Sequence, residues 1–447
     1  MPYHGEKMIE KFFKLRENNT NIKTEIIAGV TTFMTMAYII FVQPAVLKQV
    51  GMDFGAVMTA TCISSALAIF IMAFTTNYPI ALAPGMGHNF FFAYTVCLGM
   101  GIPWQVALGA NCISGVLFVM LSSFGFREKI INSISPSLKN AIACGIGLFI
   151  AFIGFQWSGI VVAKPGTMVG LGDFHSAPVL LSCFGIFLIF ILSVLRVKGA
   201  ILIGIILSAI IGLPFGIIKF HGVASVPPSV IPTLFQLDVT GAFQLGLVTV
   251  IFTFFFLDLF DTVGTVIGVG EQAGFIVNGK LPRAKQVLLA DAYGTVIGTL
   301  LGTSTITSYI ESSAGVASGG RTGLANIITG SLFLISLFFY PLVQMIGGGC
   351  EINGQFLYPV TAPALIIVGS MMMKNVIKIE WNDLTESIPA FLTLVIMPFT
   401  YSITEGISIG FISYTILKLV AKRGKEVHPI IYIFSALFLL RYIYLQM

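Results

Sequence analysis

The chain has 447 residues, of which 56% are hydrophobic and only 10% charged, with a mean hydropathy of +0.95 and a formal net charge of +5. A soluble domain carries roughly 25% charged residues, so the composition excludes one and points to a multispanning membrane protein that uses its whole length in one membrane domain. The positive balance sits in tails and loops and suits anionic membrane lipid, not nucleic acid.

Residues 1–24, MPYHGEKMIEKFFKLRENNTNIKT, lack the apolar core of a removable signal peptide and read as a cytoplasmic, amphipathic leader. Apolar runs near 25–48, 55–75, 86–100, 104–124, 137–156, 177–195 and 199–217 predict a first set of seven spans, the repeat 25–218. A Pro-containing connection over 219–242 leads to runs near 243–268, 286–302, 311–319, 322–347, 356–374, 385–400 and 403–421, a second set of seven filling 243–421. The remainder, 422–447, is a basic loop and an apolar run, 428–446, which contains Arg441; spacing leaves open an extra span or an interfacial helix. With the N-terminus cytoplasmic, every Lys and Arg except Lys48, Lys164, Lys219 and Arg441 falls in a cytoplasmic loop or tail, as cytoplasmic loops favour. The expectation is an all-α polytopic protein of 14 spans, multi-pass in the cell membrane. An odd number of spans per half makes the second half enter from the opposite face, the inverted-repeat plan of many secondary transporters.

The third spans of the two halves match that plan. Tyr78 to Ala93 reads YPIALAPGMGHNFFFA and Gly302 to Gly320 reads GTSTITSYIESSAGVASGG, each a short extended stretch before a helix too short to cross. Interrupted segments at matching positions are the best sequence pointer to a transporter's binding site, because irregular backbone at that depth must be buried in protein or line a watery cavity. Two half-helices would turn free N–H groups and positive dipole ends toward the membrane centre. The blander reading makes Pro84, Gly85 and Gly87 aids to close helix packing, but it does not account for the acids nearby.

Those acids are Asp258 and Asp261 in the eighth span and Glu311 at the start of the tenth. A carboxylate at mid-membrane costs at least about 2.5 to 3.5 kcal/mol, so its default reading is functional. Asp258 and Asp261, three residues apart, share a helix face, and two acids so close in a desolvated core cannot both stay charged cheaply. Thr262, Thr265, Thr303, Ser304, Thr305 and Thr307 are candidates to bond the carboxylates or the half-helix backbone; the competing reading is a packing network that never meets a ligand. Asp291 reads as a helix cap or a cytoplasmic surface acid, Glu386 and Glu405 as acids at wet span ends, and Arg321 as the anchor that starts span eleven. Cys62, Cys97, Cys112, Cys144, Cys183 and Cys350 have no CxxC or CxxxC spacing and read as small core residues. HExxH, Walker A and filter repeats are absent, so an enzyme, a cofactor and a channel are not indicated.

ALAPGMGHNFFFAYTV (Ala81 to Val96), FLDLFDTVGT (Phe256 to Thr265), LGTSTITSYIESSAGVASGGRTGL (Leu301 to Leu324) and ESIPAFLTLVIMPFTYSITEGISIGFISY (Glu386 to Tyr414) closely resemble the azaguanine-type purine permeases, a branch of the nucleobase-ascorbate transporter family. The resemblance runs from about Phe12 to the C-terminus. It implies fourteen spans in two inverted repeats of seven, with a core domain (spans one to four and eight to eleven), a gate domain (five to seven and twelve to fourteen) and the ligand between them. It also implies Asn89, Asp258, Asp261 and Glu311 as the polar residues of a nucleobase site, and proton-coupled import of purines by an elevator-like movement, often as homodimers. His88 and Phe90, flanking Asn89, and Gln43, where an asparagine is usual before Pro44, depart from the family pattern. His88 is then a candidate ligand contact or proton relay, since imidazole titrates near neutral pH.

A purine offers ring N–H donors beside N and O acceptors, which calls for a carboxylate and an amide; Glu311 and Asn89 are of those types. Phe90, Phe91, Phe256 and Phe260 are candidates for stacking, and Thr305 for a hydroxyl contact. Asp261 or Glu311, with His88, would carry the coupling proton. Another nucleobase such as xanthine or uracil, or a small organic anion on the same scaffold, is the alternative cargo. An anion would call for cations near the half-helices, and between Lys48 and Arg127 there are none.

Overall fold

The computed structural model describes residues 4–123, 134–244, 247–276, 281–352 and 355–444. Its helices, in chain order, begin with α1 (His4–Phe13), α2 (Ile22–Met36), α3 (Ile39–Lys48) and α4 (Phe54–Thr76). Then come β1 (Leu82–Pro84), α5 (Met86–Phe90) running into a wide-turn π-helix over Phe91–Gly99, α6 (Trp104–Ser123), α7 (Pro136–Trp157), the hairpin β2 (Val161–Lys164) and β3 (Met168–Leu171), α8 (Ala177–Val194) and α9 (Ala200–Gly212). The second half holds α10 (Val239–Gln244), α11 (Val248–Ala273), α12 (Ala284–Leu301), β4 (Ile306–Ser308), α13 (Ser312–Ala317), α14 (Gly323–Ser336), α15 (Tyr340–Gly347), the hairpin β5 (Cys350–Ile352) and β6 (Gln355–Leu357), α16 (Ala362–Met372), α17 (Leu384–Thr400), α18 (Ile403–Val420) and α19 (Pro429–Tyr444). Among the described residues, 8 helices are long and apolar enough to cross a membrane, and three shorter apolar ones accompany them.

Two departures from the expected all-α plan stand out. The hairpins β2–β3 and β5–β6 lie in stretches read as connections or span ends. The first span breaks between Met36 and Ile39, where neither glycine nor proline marks it, while Pro44 sits inside α3. Four of the six cysteines are buried as expected; Cys183 and Cys350 are half-buried.

The chain divides into two compact units, residues 1–123 with 156–364, and residues 124–155 with 365–447. In the first, α14 packs on α4 and α2, and α12 on α4 and α6. Small residues make these crossings close, as they do between membrane helices: a Cβ on Gly323 would lie 2.6 Å from the Ala73 carbonyl, and one on Gly29 would run into that of Ala325. Two helix starts in this unit, those of α2 and α4, are set by side-chain caps. Asn21 Oδ1 accepts from Thr24 N at 3.0 Å and Asp53 Oδ1 from Ala56 N at 2.7 Å, caps whose loss costs about 1 kcal/mol each.

At α14 the cap is tertiary. The buried Glu25 carboxylate accepts from the N–H groups of Arg321 (2.8 Å), Thr322 (3.3 Å) and Ala325 (3.2 Å), a negative group where the helix dipole is positive. Arg321 fills its expected anchoring place with its backbone, and its Nη1 also donates to the carbonyls of Val316 and Gly320 at 2.7 Å each, closing the end of α13.

The central feature of this unit is the strand pair. Leu82 faces Ser308, Ala83 faces Thr307 and Pro84 faces Ile306 in an antiparallel ladder, continued by Gly85 N to Thr305 O and Tyr309 N to Ala81 O, both 2.9 Å. Buried backbone must find partners, and here each interrupted segment supplies the other's. An antiparallel pair sends its two half-helices, α5 and α13, off opposite ends of one short ladder.

In the second unit, α17 and α18 form a tight pair. Lys418, 1% exposed, is held by Glu386 and Glu426, each at 2.9 Å. Arg423 binds Asp383 at 2.6 Å and Glu426 at 2.7 Å. Asp383 caps α17, and its bonds from Thr385, then from Arg423, hold its carboxyl down to about 2. Helix α19 runs antiparallel along α18: Arg441 meets Glu405 at 2.6 Å, Phe411 packs on Phe434 and Phe438, and the Thr415 and Ser435 hydroxyls are 2.7 Å apart. Cysteines at 415 and 435 are therefore expected to cross-link under mild oxidation, and Arg441→Ala to lower the yield several-fold by freeing the end of α19; a yield unaffected by Arg441→Ala would mean the ion pair does not hold the helix.

Candidate functional site

Four carboxylates gather around the strand pair, and they sort into two kinds. Asp258 is 2% exposed and Asp291 fully buried. Thr262 Oγ1 donates to Asp291 Oδ2 at 2.8 Å and lies 3.3 Å from Asp258 Oδ1 and 3.0 Å from Thr307 Oγ1. Asp291 Oδ1 accepts from both the N–H (2.9 Å) and the hydroxyl (3.0 Å) of Ser308, and Thr295 Oγ1 donates to the Ile306 carbonyl at 2.8 Å while lying 3.4 Å from Asp258 Oδ2. These acids and hydroxyls tie α11 and α12 to β4. Asp291, read from sequence as a cap or surface acid, is thus corrected: it is an internal anchor of the strand, because α12 packs its polar face on β4.

Asp261 and Glu311 are different, each half-buried and not sealed. Asp261, with a side chain 30% exposed, has Oδ2 3.9 Å from His88 Nδ1 and lies within electrostatic reach of both Glu311 and Asp291. Glu311 stands at the entry to α13, its Oε1 accepting from Tyr38 Oη at 2.7 Å. Thr35 Oγ1 reaches the Glu311 carbonyl at 3.3 Å. Tyr38 comes from the break between α2 and α3, which gives that break a purpose. Asp261 therefore lies between the two half-helices, touching His88 of α5 on one side and the field of Glu311 on the other.

His88 is 1% exposed, and neither ring nitrogen has a hydrogen-bond partner. Its ring folds over Gly85, where an added Cβ would sit 2.5 Å from Nδ1 and 2.6 Å from Thr307 Cγ2; only glycine allows this approach. Asn89, fully buried, accepts at Oδ1 from Ser304 Oγ at 3.0 Å and turns its Nδ2 toward Met86 Sδ at 3.7 Å. Gln43 Nε2 donates to Thr303 Oγ1 (2.9 Å) and Ser304 Oγ (3.0 Å), and Thr305 Oγ1 donates to Asn111 Oδ1 at 2.7 Å.

Of the aromatic candidates, Phe90 lies among Tyr94 and Trp157, Phe91 meets Phe254 edge-on at 4.8 Å, and Phe256 packs on Phe252 and Phe255. The Phe260 side chain lies outside the described residues. Thr265 is buried on α11. Among the described residues no group of three or more His, Cys, Asp or Glu could hold a metal ion. Sequence reading missed Tyr38, Asn111 and the anchoring part of Asp291; the available signals were a polar residue in an apolar span for each, with nothing local to say which neighbour it meets.

A site of this kind can accept N–H donors at two partly exposed carboxylates and offer amide and hydroxyl groups to acceptors, with no fixed cation paired to either carboxylate among the described residues. A model described as the Permease family matches residues 23–409. The guanine/hypoxanthine permease of Bacillus subtilis is 48% identical, the match covering 98% of this chain and 100% of that protein. The adenine permease of Escherichia coli is 43% identical over 99% of this chain and 97% of its own. Among solved structures, the transmembrane domain of a cyanobacterial bicarbonate transporter has the same fold, with a TM-score of 0.61 and 16% identity over 87% of this chain and 96% of that one.

Proposed function

The chain belongs to the Permease family, as a purine nucleobase permease of the nucleobase-ascorbate type, and on that premise we propose that it imports purine bases by proton symport. The observation that carries the coupling is the division of the carboxylates: Asp258 and Asp291 are committed to strand and helix partners, while Asp261 and Glu311 stay partly exposed, Asp261 with its Oδ2 3.9 Å from His88 Nδ1. In this reading Asn89 serves a base acceptor and Glu311 receives a base N–H. Asp261 or Glu311, with His88 near Asp261, takes up a proton outside and releases it inside. Phe90 and Thr305 complete the walls. Fourteen spans in two inverted repeats and the N-terminus inside, read from the apolar runs and the placement of Lys and Arg, and an elevator-like movement of core against gate and assembly as a homodimer, implied by the resemblance, belong to the same proposal.

The test is uptake of radiolabelled adenine, guanine and hypoxanthine by a transport-deficient cell expressing the chain. Accumulation above the external level that collapses with a protonophore and survives sodium removal is expected. Accumulation that needs sodium would overturn the coupling, and lack of competition by any purine would overturn the substrate class.

A further inference from the structure

Gln43, the residue that departs from the family pattern in the first span, has a defined place in the structure. Its Nε2 donates to Ser304 Oγ at 3.0 Å, and Ser304 Oγ donates in turn to Asn89 Oδ1 at 3.0 Å. All three side chains are fully buried. A hydroxyl has one proton to give, so the direction of this chain is fixed at both ends or at neither. At the Asn89 end the direction has only weak support of its own: Met86 Sδ, 3.7 Å from Nδ2, is a weak acceptor that agrees with an amide oxygen turned toward Ser304 but does not hold it there. At the other end Gln43 Nε2 spans two hydroxyls, Thr303 at 2.9 Å and Ser304.

We propose that Gln43 is a positioning residue which, through Ser304, sets the rotation of the Asn89 amide and so makes the half-helix present a hydrogen-bond donor, not an acceptor, to the bound base. This rests on the purine-permease reading and deepens it. The site then demands an N–H at the carboxylates and, at Asn89, an acceptor that a pyridine-type ring nitrogen of the base supplies. Gln43→Glu should reverse the chain. A carboxylate there has no proton to give, so Ser304 must donate to it, and Asn89 then turns its NH2 to Ser304 and its oxygen to the ligand.

The experiment is inhibition of labelled hypoxanthine uptake by purine analogues in which one ring nitrogen at a time is replaced by C–H, on the full chain and on Gln43→Glu and Ser304→Ala. In the unaltered protein one analogue should bind roughly tenfold or more weakly than its parent, the effect of leaving a buried donor unpaired. In both variants that ratio should fall to within about threefold, while the ratios for the other analogues stay put. A general loss of affinity that leaves every ratio unchanged would make Gln43 a packing residue and overturn the proposal. So would an unaltered protein that tolerates every single-nitrogen replacement. If no purine competes at all, it is the transport reading that fails, and this inference with it.

Discussion

Glu311→Gln is expected to abolish concentrative purine uptake while the protein remains folded in the membrane. Glutamine keeps the length of the side chain and an oxygen that can still accept from Tyr38 Oη, 2.7 Å away in the native site. What it loses is the charge and the capacity to bind and release a proton. A hydrogen bond to a charged partner contributes about 1.5 to 3 kcal/mol against about 0.5 to 1.5 for a neutral one, so losing its charge-assisted part weakens ligand binding roughly 5- to 10-fold. The more telling effect is on the steady state: without a carboxyl that cycles its proton, the internal base should rise only to the external level. Asp261→Asn should act alike, because Asp261 lies between His88 and Glu311. Tyr38→Phe removes one bond to the carboxylate and should slow uptake by about tenfold with accumulation retained. Normal accumulation by Glu311→Gln, measured against membrane-fraction expression, would remove Glu311 from the coupling step.

The half-helices and their acids were legible because they violate the rules of an apolar span. Proline, glycine and a run of hydroxyls at Pro84–Gly87 and Thr303–Thr307 announce irregular backbone, and Glu311 beside them announces a reason for it. The pairing of the two segments followed from their matching positions in the two halves. The roles of Asp291, Tyr38 and Gln43 were not legible, for one physical cause: each is decided by a partner far along the chain. Tyr38 meets Glu311 across 273 positions and Gln43 meets Ser304 across 261, and no local period records such meetings. Asp291 reaches Ser308 over 17 positions, but whether α12 turns that face to a strand or to water depends on β4 already being in place. The aromatic candidates failed to separate because 39 phenylalanines make a ring near any point in the core unremarkable as a signal.

Asp291→Ala should produce the opposite pattern to Glu311→Gln: a large loss of stability, with loss of uptake as its consequence. The Asp291 carboxylate accepts from the Ser308 N–H, the Ser308 hydroxyl and the Thr262 hydroxyl at 2.8 to 3.0 Å, all in a site closed to water. Truncation leaves those donors buried without their acceptor, at about 1 to 3 kcal/mol each. The hydroxyls can turn elsewhere, since Thr262 also has Asp258 and Thr307 within reach; the Ser308 N–H cannot, because the β4 backbone holds it. The sum is of the order of 3 to 5 kcal/mol, at the high end for a single substitution, and in a chain of this length corresponds to a drop of roughly 3 to 5 °C in the unfolding midpoint of detergent-purified protein. Asp291→Asn keeps one acceptor oxygen for Ser308 and should lose about half as much. The two acids are then told apart by paired measurements on the same variants. Glu311→Gln should keep its midpoint within about 2 °C and lose transport, whereas Asp291→Ala should lose both together. An Asp291→Ala protein with a native midpoint would mean that β4 is held by its pairing with β1 alone, and the anchoring role assigned to Asp291 would fall.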